Sequence, residues 1–284
     1  MMRLLTPGSR ARRVLRTALG AGLTAALRAT GADRAQAGAR VLYYHRIDDE
    51  LHRSCVTRRA FREQMQYLRN SSYRIVPLGT LLRAFEAGEE FAPRTVAVTF
   101  DDGFADNYEN AFPVLAELGI PATIFVTTAA LGSTLSVLRE RPGALPALTW
   151  DQVREMLRGP ITIGSHTLTH PHLTQISSDA LRRELIRSRD VITAETGVAT
   201  DLFCYPHGDM NARVRDAVRL AGYRLACSTY PGPVTLASDP LAVPRTFIAR
   251  DDTLADFARK LSGAYDYLHR GVQFLRRWRF AAAA

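Results

Sequence analysis

Short apolar runs alternate with longer amphipathic stretches over most of the sequence after residue 40. The run TVAVTF at 95–100 is apolar or β-branched throughout, whereas 57–70 repeats apolar residues at the spacing of an amphipathic helix. Strands that are apolar on both faces belong to parallel sheets that helices cover on both sides. Apolar spacing and terminal glycines predict further helices at 78–87, 107–118, 178–196 and 252–268. A loop is predicted at 129–148, and Thr149 with Gln152 has the pattern of a capping box that opens the next helix. About seven or eight strand–helix units follow one another, which favours a (β/α) barrel over an open sheet.

Several predicted strands end in a residue that can take part in catalysis. Two aspartates and three histidines lie at or just after a strand end: Asp101, Asp102, His45, His166 and His207. In (β/α) barrels the catalytic groups lie at the carboxyl ends of the strands. The sequence therefore predicts an active site at that end of the barrel.

Two of these strand ends carry residue types that bind catalytic metal ions. Asp101 and Asp102 are adjacent, so on a strand they point to opposite faces and are expected to differ in role. His166 and His170 form an H-x-x-x-H pair. One aspartate with two histidines is a common ligand set for zinc or a similar divalent ion and leaves one position open for water. The spare aspartate can act as a base on water, so the pattern predicts a metal-dependent hydrolase.

Three motifs together resemble those of a known enzyme family. TFDDG at 99–103, SHTLTH at 165–170 and YPHG at 205–208 are similar to the motifs of NodB-type polysaccharide deacetylases, carbohydrate esterase family four. The resemblance covers roughly residues 40–250. It implies a distorted (β/α) barrel and a bacterial enzyme that removes acetyl groups from N-acetylated sugars of an exopolysaccharide, another polysaccharide or a lipid-linked glycan.

The same resemblance implies roles for individual residues. Asp101 would be the general base, while Asp102, His166 and His170 would hold one divalent metal ion, expected to be zinc. The backbone N–H of His207 would match the family's donor to the oxyanion of the tetrahedral intermediate.

The third motif departs from the family pattern at two positions. Cys204 stands where the family has an arginine, and His207 stands where it has a tyrosine. In the family that arginine pairs with the base aspartate, so here the orienting charge must come from elsewhere. Arg245 is our candidate, and a surface salt bridge is the alternative interpretation of this residue.

The general acid is expected to be a histidine from the N-terminal side of the barrel. The family takes it from a Leu-x-His motif near the C-terminus, but His269 lies in a basic tail without a preceding strand. His45 follows the run VLYY, which resembles the first strand of a circularly permuted subgroup, the poly-N-acetylglucosamine deacetylases. An imidazole titrates near neutral pH and suits protonation of a leaving amine. The alternative for His45 is a hydrogen-bonded structural histidine.

Other functions are compatible with the same residues. The chain could be an O-acetyl esterase or another metal-dependent amidase on the same fold, or a non-catalytic glycan-binding protein. Trp150 and Tyr230 are available to stack on a sugar, and His172 is expected to pack within its loop. A glycosidase using Asp101 and Asp102 is disfavoured, because adjacent residues poorly span the ~5 to 9.5 Å that such enzymes need.

The termini differ in character from the rest of the chain. We predict a basic N-terminal extension at 1–39, a deacetylase domain at 40–250, and a C-terminal helix with a basic tail at 251–284. The net charge is +9 and arginines concentrate at both ends. Residues 12–28 have the pattern of a basic amphipathic helix on an anionic membrane, which favours a protein peripheral to the inner membrane. One alternative is an export signal cleaved after Ala37, with the enzyme in the periplasm or outside the cell. The other is a disordered N-terminal tail.

The sequence lacks the features of a disulfide-stabilised protein and of a nucleic-acid-binding protein. Three cysteines are widely spaced and form no C-x-x-C motif, so a disulfide framework is not expected: Cys55, Cys204 and Cys227. Each is instead expected to pack as a small buried side chain. No nucleic-acid-binding motif accompanies the positive charge. The partner that the family resemblance implies is an acetylated glycan.

Overall fold

The computed structural model describes residues 38–135, 145–264 and 266. The chain divides into two units, Ala37–Asp251 and Met1–Gln36 with Asp252–Ala284. The predicted helix at 12–28, the cleavage site after Ala37 and the tail from 267 with His269 lie outside the described residues. Within the described residues, no helix combines the length and the apolar character that crossing a bilayer requires.

Parallel strands form the main sheet of the larger unit. The described strands are β1 (Arg40–Tyr44), β2 (Arg46–Ile47), β3 (Cys55–Val56), β4 (Arg74–Ile75), β5 (Thr95–Phe100), β6 (Ala122–Val126), β7 (Thr134–Leu135), β8 (Leu145–Pro146), β9 (Ile161–Ser165), β10 (Leu202–Cys204), β11 (Leu225–Cys227) and β12 (Thr246–Phe247). Eight of them form one sheet in the order β11-β10-β9-β6-β5-β1-β12, with β4 paired to the start of β5. β2 with β3, and β7 with β8, form two small sheets.

The main sheet curls until the segment that leads into β12, at one edge, reaches β11 at the other edge. β12 pairs with β1 through Thr246 opposite Leu42 and Phe247 opposite Tyr43. Val243, just before β12, forms a parallel bridge with Cys227 of β11. The prediction of a distorted (β/α) barrel with seven or eight parallel strands is confirmed.

Helices cover the outside of the sheet and begin and end where local sequence signals place them. Those of the larger unit are α1 (Arg58–Asn70), α2 (Leu78–Ala87), α3 (Phe112–Leu118), α4 (Trp150–Met156), α5 (Ser178–Thr196) and α6 (Ala212–Leu220), and the described part of the second unit contains α7 (Leu254–Leu261). The predicted capping box of Thr149 and Gln152 opens α4. α2 and α5 end at Gly88 and Gly197, whose φ angles of 65° and 72° favour glycine.

The structure differs from the sequence prediction in three segments. The helix predicted at 107–118 is a π-helix over Asn107–Ala111 followed by α3, since Pro113 has no N–H to donate to the preceding turn. The loop predicted at 129–148 contains the antiparallel strand pair β7 and β8. The final helix predicted at 252–268 is described only as the shorter α7, which ends with Ser262 as its C-cap.

The core lies on both sides of β10 and β11. Inside the barrel, Cys204 and Cys227 belong to an apolar cluster with Phe125 and residues of α2. Outside, Phe203 and Ala226 pack against α5 and α6. All three cysteines are buried and free, as predicted. This packing anchors the strands whose carboxyl ends carry the candidate site.

Candidate active site at the carboxyl end of the barrel

The two adjacent aspartates are buried at the end of β5 and face different partners. Asp101 continues the strand, with its N–H donating to the carbonyl of Tyr44 at 3.0 Å. Asp102 leaves the strand with a left-handed backbone, φ 77°. Both residues are only 3% exposed. The change of backbone conformation between them separates the two carboxylates and allows each its own set of contacts.

Asp102 lies against both histidines of the H-x-x-x-H pair. Its Oδ1 is 3.4 Å from Nε2 of His166 and 3.3 Å from Nε2 of His170. The ligand atoms of the three side chains all lie within 4.8 Å of one another. The structure thus brings together the three residues that the sequence predicts as metal ligands.

A hydrogen bond to the backbone orients the imidazole of His166. Its Nδ1 lies 2.8 Å from the carbonyl oxygen of Cys204 and donates to it as an N–H. In a neutral imidazole the lone pair is then on Nε2, facing the carboxylate of Asp102. Two acceptors at this distance require a proton or a cation between them.

The donor set fits a divalent metal ion. Zinc with ligand distances of about 2.0 to 2.2 Å holds neighbouring tetrahedral ligands about 3.3 Å apart, close to the separations around Asp102. Asp101, His166 and Cys204 also lie within reach of one ion. That second set is the poorer one for two reasons. The carboxylate of Asp101 is already paired with Arg245, and burial raises the pKa of the Cys204 thiol well above its ordinary value.

Arg245 binds the carboxylate of Asp101 in a bidentate ion pair. Its two terminal nitrogens donate to Oδ1 and Oδ2, each at 2.7 Å, and its Nε donates to the carbonyl of Ser228 at 2.9 Å. Arg245 is fully buried, so its interpretation as a surface salt bridge is wrong. Burial alone would raise the pKa of the Asp101 carboxyl, but the charge and hydrogen bonds of Arg245 outweigh it and hold this pKa below its ordinary value.

Cys204 fills the space beside this ion pair. Its Sγ lies 3.0 Å from a terminal nitrogen of Arg245 and 3.6 Å from Oδ1 of Asp101. The guanidinium also stacks over the ring of Tyr43, with Cζ 4.3 Å from the ring centroid. The small thiol at position 204 therefore leaves room for the side chain of Arg245, which comes from the residue just before β12.

His45 lies at the mouth of the barrel, directly after β1. Its ring lies near those of Tyr43 and Phe247, with centroids 5.8 Å apart in both cases. Its Nδ1 is buried and has no hydrogen-bond partner among the described residues. The backbone carbonyl of His45 accepts from Nδ2 of Asn107 at 2.8 Å. The alternative of a hydrogen-bonded structural histidine is therefore not supported for its Nδ1.

His207 lies with its ring against two other imidazoles. Its ring is 4.5 Å from that of His170 and 4.0 Å from that of His172, nearly parallel to the latter. Partial burial and the neighbouring histidines lower the pKa of His207 to about 4, so the ring is neutral at neutral pH. His172 also lies 3.9 Å from Asp209. These side-chain contacts of His172 reach the loop that follows β10.

Left-handed backbone conformations concentrate at the site. Asp102, Thr167, His170 and His207 have φ angles between 58° and 77°. For residues other than glycine this costs on the order of 1 to 3 kcal/mol each, and it persists only where surrounding contacts enforce it. The site is therefore held by contacts that the motifs themselves do not include.

Two of the supporting residues were missed by sequence reasoning. Glu184 of α5 accepts hydrogen bonds from the loop between His166 and His170. Asn107, at the start of the π-helix, holds the backbone of His45. For Glu184, the sequence signal was its position on α5 next to the buried Leu181 and Leu185, which places it near the face of the helix that packs on the barrel.

The two aromatic residues available for sugar stacking differ in their setting. Tyr230 is 52% exposed just beyond β11, and its carbonyl accepts from the N–H of Arg245 at 2.8 Å. Trp150 is half-buried at the start of α4. Tyr230 is thus connected to the site through the backbone of Arg245.

Comparisons with known proteins agree with this geometry. Residues 88–226 match the family model described as polysaccharide deacetylase. The chain is 27% identical over 209 residues to the putative polysaccharide deacetylase YxkH of Bacillus subtilis (strain 168), covering 74% of this chain and 71% of that protein. It is 23% identical over 257 residues to the poly-beta-1,6-N-acetyl-D-glucosamine N-deacetylase of Escherichia coli (strain K12), covering 77% of this chain and 38% of that protein.

A solved structure shares the fold over nearly its whole length. The Streptococcus pyogenes deacetylase PplD in complex with acetate superimposes with a TM-score of 0.70 and 25% identity. The match covers 79% of this chain and 98% of that chain. The family model, the relatives and the fold therefore point in the same direction as the motifs.

Proposed function

We propose that this protein, whose residues 88–226 belong to the polysaccharide deacetylase family, is a metal-dependent hydrolase of the acetamido groups of N-acetylated sugars in a glycan. One observation carries the proposal: the adjacent carboxylates have separate partners. Asp102 faces His166 and His170, while Asp101 is held by Arg245. Such a division provides one carboxylate for a metal ion and one for proton transfer.

The proposed metal site consists of Asp102, His166 and His170. A divalent ion bound there, with zinc expected, would polarise the acetyl carbonyl and lower the pKa of water. The backbone carbonyl of Cys204 accepts a hydrogen bond from Nδ1 of His166, which leaves Nε2 of His166 free to act as a ligand. The three residues form a preorganised set, since all are largely buried.

Asp101 is the proposed general base. Its low pKa keeps the carboxylate ionised at neutral pH, and Arg245 fixes its orientation through two hydrogen bonds. In this role Asp101 takes a proton from the attacking water as the water oxygen bonds to the acetyl carbon. Arg245 touches the base rather than the substrate, so it acts as a positioning residue.

Two histidines complete the proposed mechanism. The backbone N–H of His207 donates to the oxygen that becomes negatively charged in the tetrahedral intermediate. His45 donates a proton to the sugar nitrogen as the carbon–nitrogen bond breaks, which releases acetate and the free amine. The buried, unpartnered Nδ1 of His45 leaves this imidazole free of competing hydrogen bonds on that nitrogen within the described residues.

The substrate class is proposed from the relatives. The Escherichia coli relative is named for poly-beta-1,6-N-acetyl-D-glucosamine, but this chain spans only 38% of that protein. We take a polymer of N-acetylglucosamine, free or lipid-linked, as the proposed substrate. The partly exposed ring of Tyr230 is available to contact a sugar ring beside the site.

Acetate release tests both the metal dependence and the substrate. The full-length chain is chelated exhaustively, reloaded with zinc, and assayed on β-1,6-linked N-acetylglucosamine oligomers and on an O-acetylated xylan. We expect acetate from the N-acetylated oligomers only when zinc is present, and none from His166→Ala, whereas His269→Ala retains activity. Full activity of the chelated wild-type chain would reject metal dependence, and acetate from the xylan alone would favour the O-acetyl esterase.

A further inference from the structure

The loop that carries His166 and His170 is bound on one side by the carboxylate of Glu184. Oε2 of Glu184 accepts from the backbone N–H groups of Leu168 and Thr169, both at 2.9 Å. Oε1 accepts from the hydroxyl of Thr169 at 2.6 Å. One side chain of α5 thus satisfies three donors of the short segment between the two proposed ligands.

Backbone hydrogen bonds hold the same loop from another direction. The N–H of Thr128 donates to the carbonyl of Thr167 at 3.2 Å, and that of Ala129 donates to the carbonyl of Leu168 at 2.9 Å. Within the loop, the N–H of His170 donates to the hydroxyl of Thr167 at 2.9 Å. Leu168 is therefore fixed through its N–H by Glu184 and through its carbonyl by Ala129.

This double attachment matters because the loop has an unfavourable backbone. Thr167 and His170 have φ angles of 71° and 62°. A loop with two such residues relaxes to other conformations unless its contacts prevent it. Hydrogen bonds to an ionised carboxylate are about twice as strong as those between neutral groups, which makes Glu184 the strongest of these restraints.

We infer that Glu184 is a positioning residue of the metal site, holding the loop in the conformation that places His166 and His170 against Asp102. The inference rests on the proposed function, since it assigns Glu184 to the metal ion proposed there. Glu184 contacts neither a proposed ligand side chain nor the proposed reacting groups in the hydrogen bonds described. Its removal is expected to weaken metal binding because the ligands are no longer preorganised.

The test measures zinc affinity in the full-length chain by competition with a chromophoric chelator. Glu184→Ala is expected to weaken zinc binding by about 10- to 100-fold, the usual effect of losing a group that orients metal ligands. Glu184→Gln keeps an acceptor for the two N–H groups and is expected to recover most of that affinity. Asp190→Asn removes a charge from an exposed position of the same helix and should bind zinc like the wild type.

Amide hydrogen exchange provides a second readout that general destabilisation would not reproduce. In Glu184→Ala the amides of Leu168 and Thr169 should exchange faster, while those of β5 keep their wild-type rates. If the alanine variant does not fold, Glu184→Asp takes its place. Its side chain is one methylene shorter, which draws the carboxylate back from the two amides that Glu184 contacts at 2.9 Å, and a loss of zinc affinity in the same direction is expected.

The outcomes separate this inference from the proposed function. Wild-type zinc affinity in a folded Glu184→Ala or Glu184→Asp variant would overturn the role of Glu184 alone. A wild-type chain that binds no zinc would overturn the proposed metal site, and with it this inference.

Discussion

Asp101 and Arg245 form two hydrogen bonds of 2.7 Å although 144 residues separate them in the sequence. β1 lies between β5 and β12, so the long side chain of Arg245 reaches from the start of β12 to the carboxylate that follows β5. Cys204, at the position where the resemblance implies an arginine, lies next to the pair and contributes no charge. Arg245, just before β12, thus makes the contact with the aspartate that the resemblance assigns to an arginine at position 204.

Removing Arg245 is expected to destabilise the protein and to reduce turnover. Arg245→Ala leaves the carboxylate of Asp101 buried without its partner, which typically costs about 3 to 5 kcal/mol. Arg245→Lys keeps the charge but not the bidentate geometry, so its stability and turnover should lie between those of the wild type and Arg245→Ala. Urea denaturation measures the free energy of unfolding of each variant, and acetate release measures its turnover.

A surface ion pair is the matched control for this prediction. Arg215 bonds to Asp239 at 2.9 Å with both side chains partly exposed, so Arg215→Ala should cost about 1 kcal/mol or less. Equal unfolding free energies for Arg245→Ala and Arg215→Ala would contradict the structural importance of the buried pair.

Exchanging either aspartate for asparagine distinguishes base from ligand. Asp101→Asn is expected to keep zinc and to lose about 10²- to 10⁴-fold in turnover, since it removes a base and not a ligand. Asp102→Asn is expected to lose zinc. Metal content by mass spectrometry and acetate release are measured on both variants, and the reverse pattern would exchange the two assignments.

Replacement of His45 is expected to affect substrates according to their leaving group. An amine needs a proton to leave, whereas a phenolate leaves without one. His45→Ala should therefore depress activity on an N-acetylated oligomer more than on an aryl acetate. His269→Ala serves as control, and equal losses on both substrates in His45→Ala would indicate that His45 is structural.

Association with membranes is predicted for the full-length chain. The arginines at 12–28 would each contribute about 1 kcal/mol near an anionic bilayer, and the apolar residues of the same segment would add buried area. Full-length protein should sediment with anionic liposomes at low salt, whereas a chain starting at residue 39 should bind less. Equal, salt-insensitive partitioning of the two, or an N-terminus found after Ala37 in cells, would favour export.

The local sequence determined the elements and the principal motif residues. Apolar periodicity, capping residues and terminal glycines act over a few positions, so β5, α2 and α5 were predicted with the bounds that the structure has. The strand-end rule also placed Asp102 and His166 at one edge, since the carboxyl ends of parallel strands meet there. These inferences needed only the alternation of elements, because neighbouring residues largely decide whether a segment forms a strand or a helix.

The contacts that hold the site depended on the tertiary structure. The sequence left two interpretations of Arg245, as the partner of Asp101 or as part of a surface salt bridge. Only the strand order β5-β1-β12 and the complete burial of Arg245 decided between them. Nothing local showed that the carbonyl of Cys204 would orient His166 or that Glu184 would hold the loop beside it. Such hydrogen bonds join residues from different strands and helices, and their distances follow from how the sheet curls and the helices pack on it. Sequence spacing carries no direct information about that arrangement.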